Sequence, residues 1–140
     1  MTSPARAFAT YRIDGMKLES KLNQRVHWSV RAKSAKQQRE AAFYVVKKFE
    51  LPLPILPLMV RITRIGPRAL DDDNLAGSCK SIRDGIAQRL GIDDGSEAIA
   101  WRYAQRKGPY GIEIEFFPMP QELRVQCLQP SLLAQQENLL

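Results

Sequence analysis

One histidine and two cysteines in 140 residues leave little material for imidazole or thiol chemistry. The cysteines, Cys79 and Cys127, show no metal-ligand spacing, and two such thiols in a cytosolic chain are expected to stay reduced. Long hydrophobic runs are also missing. The most apolar stretch, LPLPILPLMV, carries three prolines and is too short to span a bilayer, and the opening MTSPARAFATYRIDGM has no signal-peptide core. These absences predict a soluble, cytoplasmic protein with no membrane contact and no organic cofactor. No internal repeat is visible.

What is present is enough apolar content, 44% of residues, to fill the core of one domain without disulfide or metal staples. The expected domain covers residues 1–118, with 119–140 as a weakly patterned tail, mobile or a short helix. The formal charge is +6. It is concentrated: between Asn23 and Lys48 stand Arg25, Arg31, Lys33, Lys36, Arg39, Lys47 and Lys48 against the single acid Glu40. Such a face is either a solvated helix surface or a contact surface for phosphate backbone.

Alternation predicts short strands at 8–13 and 58–65, the latter ended by Gly66-Pro67, and a hairpin built from 98–106 and 111–117 around Lys107-Gly108-Pro109-Tyr110. Helical spacing of Ala35, Ala42, Val45, Val46 and Phe49 predicts a helix over 29–49. Leu75, Cys79, Ile82, Ile86 and Leu90 predict a second over 74–90, with Gly91 as its C-terminal cap. The order β-α-β-α-β-β implies an α+β domain: a mixed sheet of about four strands covered by two main helices.

The second helix is preceded by LDDDN, three carboxylates in a row. Capping accepts hydrogen bonds from free first-turn amides but needs one acid, perhaps two. A bound divalent cation would remove the repulsion among all three. At about 100° per residue, Asp73, Gly77, Lys80 and Asp84 share one face opposite the apolar stripe. Gly77 there costs about 1 kcal/mol against Ala: either close approach of a phosphate or backbone justifies the cost, or it is a tolerated surface glycine. If the chain is extended at 71–73, Asp71 and Asp73 point the same way. A second pair, Asp93-Asp94, lies past the far end of the helix. It can join the first acids only if the fold brings the next strand back beside them; turn-forming aspartates are the alternative.

These residues resemble the RusA-type Holliday-junction resolvases of phages and prophages. The family signature is an Asp-x-Asp-Asn-Leu run opening a helix, a Lys with an Asp four residues later, and an Asp-Asp pair before a strand. Here these are Asp71, Asp73, Asn74, Leu75, Lys80, Asp84, Asp93 and Asp94, with Lys80 about one helical turn later than in the best-studied form. Leu22 to Trp28 ahead of a basic helix is similar to many phage members, and the likeness spans residues 23–117.

The resemblance implies a homodimeric endodeoxyribonuclease that resolves four-way DNA junctions by paired symmetric nicks with Mg²⁺ or Mn²⁺. Asp71, Asp73 and Asp94 would hold the metal, Lys80 would stabilise charge on the phosphate or orient water, and Asp93, Asp84 and Asn74 are further metal or support residues. Asn23, Arg25, Arg31, Lys33, Lys36 and Arg39 would contact DNA. His27 and Trp28 fit structural roles, with stacking of Trp28 on a base as the alternative. A non-catalytic DNA-binding protein, or a nuclease for other branched DNA, remains open at this point.

Overall fold

The computed structural model describes residues 6–19, 28–47, 57–93, 95–121 and 123. Along these, β1 (Ala9–Asp14) is followed by α1 (Trp28–Lys47), β2 (Leu58–Gly66), α2 (Asp72–Ser78), α3 (Lys80–Leu90), β3 (Ile99–Lys107) and β4 (Gly111–Pro118). The strands form one sheet in the order β1-β4-β2-β3. β2 and β3 run parallel, while β4 is antiparallel to both β1 and β2. This is the mixed, four-stranded α+β architecture that the element order predicts. The parallel pair follows from a helical crossover between β2 and β3. The expected hairpin between 98–106 and 111–117 does not form: β2 lies between β3 and β4, so the turn at 108–110 carries the chain past the end of β2, and β4 pairs antiparallel with β2 and β1 instead.

Strand alternation sorts the two faces. Leu58, Val60 and Ile62 of β2 and Ile112, Ile114 and Phe116 of β4 are buried, with Ile99, Trp101 and Tyr103 of β3 alongside them. The apolar stripes of the helices join this face: Ala42 and Val46 from α1, and Leu75, Cys79, Ile82, Ile86 and Leu90 from α2 and α3. Each such fully buried aliphatic chain contributes roughly 1.5–3 kcal/mol. On the other face Arg61 pairs with Glu115 at 2.8 Å, directly opposite in register, and Arg106 pairs with Glu113 at 2.9 Å. Partly exposed pairs of this kind add about 0.2–1 kcal/mol and suit a wet surface.

The predicted second helix is divided. It starts at Asp72, two residues early, and is interrupted at Cys79, whose backbone sits at φ −89°, ψ −2°. Buried Ser78 donates its hydroxyl to the Leu75 carbonyl at 2.7 Å, and it follows Gly77. A back-bonding serine beside a glycine is a recognised cause of helix bending. Gly91 closes α3 at φ 70°, the left-handed cap expected there.

Gly77 has no atom within 4 Å of where a Cβ would stand, so no part of the fold requires a glycine there. The required glycine is Gly85. A Cβ on it would lie 2.2 Å from the Arg39 carbonyl oxygen, so α1 and α3 touch backbone to backbone at this point. On α1 the buried positions are Gln38, Ala42 and Val46; Ala35 and Val45 are only partly buried, and Phe49 lies outside the described residues. Of the tail, residues 122 and 124–140 lie outside them as well.

Candidate active site

The acidic corner is delivered by the turn between β2 and α2, and two side chains fix that turn. Arg64 and Gln105 are partners in the parallel β2–β3 register. Arg64 donates from Nε to the Leu18 carbonyl at 2.9 Å and from Nη1 to the Arg68 carbonyl at 2.7 Å. Gln105 donates to the Leu70 carbonyl at 2.7 Å and accepts from the Leu70 amide at 2.9 Å, engaging both polar groups of one residue. The chain therefore enters Asp71 from a pinned position at the carboxyl ends of two parallel strands, where open α/β sheets present their ligand crevices.

Asp71 is the N-cap of α2. Its Oδ1 accepts from the Asn74 amide at 3.0 Å. Asp72 and Asp73 occupy the first helical turn, exposed, and neither has a hydrogen bond or ion pair among the described residues. Capping thus accounts for one carboxylate of the three. Because the helix starts at Asp72, the chain is not extended through 71–73, and strand alternation does not aim Asp71 and Asp73 the same way. They share a corner by adjacency at a helix start.

The remaining acids gather elsewhere. Asp84, half-buried, and Asp93 line a shallow depression of about 230 Å³ with Ala87, Gln88 and Ile92. The Asp93 carboxylate accepts from the Gly95 amide at 3.0 Å, a turn-forming role. Leu70 is held against Gln105 near the end of β3, whereas Asp93 lies ahead of its start, where the Ala98 carbonyl bonds to Leu58. Ala98 and Gln105 are seven residue steps apart along the strand, on the order of 23 Å at the rise of a strand. Within one chain the fold therefore does not bring Asp93 to Asp71 and Asp73. Asp94 lies outside the described residues, as do Asn23, Arg25 and His27.

No group of three or more His, Cys, Asp or Glu able to hold a metal occurs among the described residues. What one chain offers at the corner is a set of open carboxylates. Mg²⁺ commonly uses one or two carboxylates and takes its other ligands from water and substrate phosphate, so a partial set suits it better than a metal that demands a full protein cage. Lys80, at the first position of α3, is exposed and unpaired among the described residues; the break at Cys79 stands between it and the exposed Asp73 and Gly77 of α2, so one continuous helical spacing does not align the three.

Of the basic residues on α1, Arg31, Lys33 and Lys36 are exposed, with Lys36 3.9 Å from Glu40, while Arg39 is half-buried against α3. Trp28, at the start of α1, is 72% exposed, which removes it from the core. Lys17, in the turn after β1, pairs with Glu19 at 2.6 Å, and that carboxylate raises the lysine above its ordinary pKa. Arg64 and Gln105 went unassigned in the sequence. Their signal was parity: Arg64 continues the Leu58, Val60, Ile62 series and Gln105 the Ile99, Trp101, Tyr103 series, which places two polar side chains on the core face.

No family model matches the chain. An uncharacterized protein of Xylella fastidiosa is 42% identical over 81 residues, covering 51% of each chain, so this chain spans about half the length of that relative. Two solved structures are similar at a low level. The GDP-form protofilament protein TubZ of Bacillus thuringiensis aligns at 15% identity over 95% of this chain and 31% of its own, with a TM-score of 0.39. The CDP complex of IspF from Plasmodium falciparum aligns at 20% identity over 64% of this chain and 56% of its own, with a TM-score of 0.28. Scores this low carry no argument about fold or function.

Proposed function

We propose that the chain is a divalent-metal-dependent endodeoxyribonuclease for branched DNA, a four-way junction first, acting in the cytoplasm as a homodimer. The observation that carries this is the surplus at the acidic corner. One carboxylate caps the helix, and Asp73, together with Asp72, stands exposed without a partner among the described residues. The order of Asp71, Asp73, Asn74, Lys80 and Asp84, shared with the RusA-type resolvases, supports the same reading. When bound, Mg²⁺ would polarise a phosphodiester oxygen and supply a nucleophilic water. Asp71 and Asp73 would hold the ion. Exposed Lys80, just past the break at Cys79, supplies a positive charge, and the basic side of α1 contacts backbone phosphates.

A junction offers two-fold related strands, and a C2 dimer with one corner per subunit matches that symmetry. In such a dimer a second copy running its α2–α3 pair in the opposite direction brings its Asp93-Asp94 end to the first copy's Asp71 corner. The third carboxylate is then supplied across the two-fold axis, since the same chain's Asp93 is out of reach.

A non-catalytic DNA-binding protein is the second reading, favoured by the distance between Asp93 and the corner. The test is incubation with a synthetic mobile junction, with Mg²⁺ and with EDTA, for wild type and Asp73→Asn. Paired symmetric nicks that require Mg²⁺ and vanish in Asp73→Asn, with junction binding retained, are expected. Junction binding by wild type without any nicking in Mg²⁺ or Mn²⁺ would leave the binding protein as the correct reading.

A further inference from the structure

Arg64 is a cation in the interior. It is 5% exposed, two of its guanidinium nitrogens donate to main-chain carbonyls, and no carboxylate pairs with it. The third nitrogen, Nη2, has no hydrogen-bond partner among the described residues. Carbonyls satisfy hydrogens but leave the charge uncompensated, and a buried unpaired charge is among the more expensive features a fold can carry.

The surroundings add positive charge instead of cancelling it. Arg64 lines a cavity of about 180 Å³ whose walls include Arg68, Arg106 and Lys107, together with Gly66 and Gln105. Arg68 and Lys107 are exposed and have no ion pair among the described residues; Arg106 is held by Glu113 at 2.9 Å. The Arg106 side chain turns to the other face of the sheet, so three cations, Arg64, Arg68 and Lys107, are left at the cavity. Gly66 opens the wall: a Cβ there would stand 3.0 Å from Nη2, against the unpaired nitrogen. The pocket is continuous with the turn that presents Asp71, since Gln105 both lines it and grips Leu70.

We infer that this cavity, at the carboxyl ends of β2 and β3, is a phosphate-binding site that seats a backbone phosphodiester of the nucleic acid next to the Asp71 corner. A guanidinium with a free N–H matches a phosphate oxygen, and Arg68 and Lys107 supply the second and third positive charges at its mouth. A phosphate held here lies one turn of chain from the acids, which by themselves would repel it. The inference rests on the nuclease reading for its choice of a polynucleotide over a free phosphate.

The experiment measures binding of a labelled four-way junction in EDTA, where no cleavage intrudes, across a range of salt. Wild type is compared with Arg68→Gln/Lys107→Gln and with Arg12→Gln/Arg102→Gln, which removes equal charge from exposed positions elsewhere. Both rim residues are exposed, so the pocket variant should keep its thermal unfolding temperature. The expected result is weaker binding and a salt slope reduced by about two for the pocket variant, with a smaller loss for the control. Equal slopes for the two double variants overturn the pocket and leave the nuclease reading standing. Absence of DNA binding by wild type overturns both. Phosphate replacing chloride at matched ionic strength supplies the last arm: if it stabilises wild type against heat and not the pocket variant, while DNA binding is identical in both, the occupant is free phosphate and the polynucleotide assignment fails.

Discussion

Asp71 and Asp73 sit two positions apart, yet they do different structural work, and substitutions separate the two. Asp71 accepts from the Asn74 amide, so Asp71→Ala should cost about 1 kcal/mol of stability, whereas Asp71→Asn keeps an N-cap acceptor and should cost little. Asp73 is exposed and unpaired among the described residues, so Asp73→Ala should stay within about 0.5 kcal/mol of wild type. Urea unfolding checks the stabilities, and the junction assay should show all three variants inactive. An active Asp71→Asn would mean that Asp71 is a cap alone. Tyr11 gives a pH effect unrelated to the site. Burial raises its pKa above 10.0 by penalising the phenolate. The unfolded chain therefore loses its proton first, and the stability contributed by neutral Tyr11 is present below pH 10 and is lost as pH rises through the higher folded value. Tyr11→Phe, which keeps the ring against Phe116, should lose less stability than wild type between pH 7 and the alkaline limb.

At the level of elements, the two helical glycines make opposite predictions although each lies in a polar-looking helix sequence. Gly77→Ala adds a methyl to open space and recovers helix propensity, so it should stabilise by up to about 1 kcal/mol. Gly85→Ala drives a methyl into the Arg39 carbonyl and must push α1 away from α3, at a cost on the order of 1–3 kcal/mol or more. Paired thermal melts test both, and a neutral Gly85→Ala would show that the helix contact is looser than drawn. This pair also marks where the sequence was legible. Strand limits and the Gly91 cap were, because alternation and a left-handed cap are local signals. The helix contact was not, because the significance of Gly85 depends on Arg39, which is distant in the chain. The break at Cys79 was hidden for a different reason: Leu75, Cys79, Ile82 and Ile86 keep one apolar stripe through it, while Ser78 bends the helix with a hydroxyl that periodicity does not weigh. The acidic residues were identified by type and spacing, but their grouping into Asp71–Asp73 and Asp84–Asp93 is set by the parallel direction of β3, a long-range fact.

For the whole molecule, that grouping decides how the proposed activity can be organised. A parallel β2–β3 pair requires the crossover helices to run the length of the sheet, so the acids before α2 and after α3 lie at opposite ends of one chain. A metal site using both ends must draw on two chains, and a two-fold axis that runs the helices in opposite directions generates two equal sites at once. Subunit mixing reads this directly. In a heterodimer of Asp73→Asn with Asp94→Asn, one corner carries both substitutions and the other carries neither. Each homodimer is inactive, yet the mixture, after dissociation and reassociation, should regain Mg²⁺-dependent nicking. It should cut one strand of the junction per binding event instead of two, because one of the two sites in each heterodimer is intact. If the third carboxylate came from the same chain, both corners of the heterodimer would carry a substitution and the mixture would stay as inactive as its components. Recovery of single nicks therefore places the shared site between copies, and its failure with active wild type returns the third ligand to water, to substrate phosphate or to a residue of the same chain.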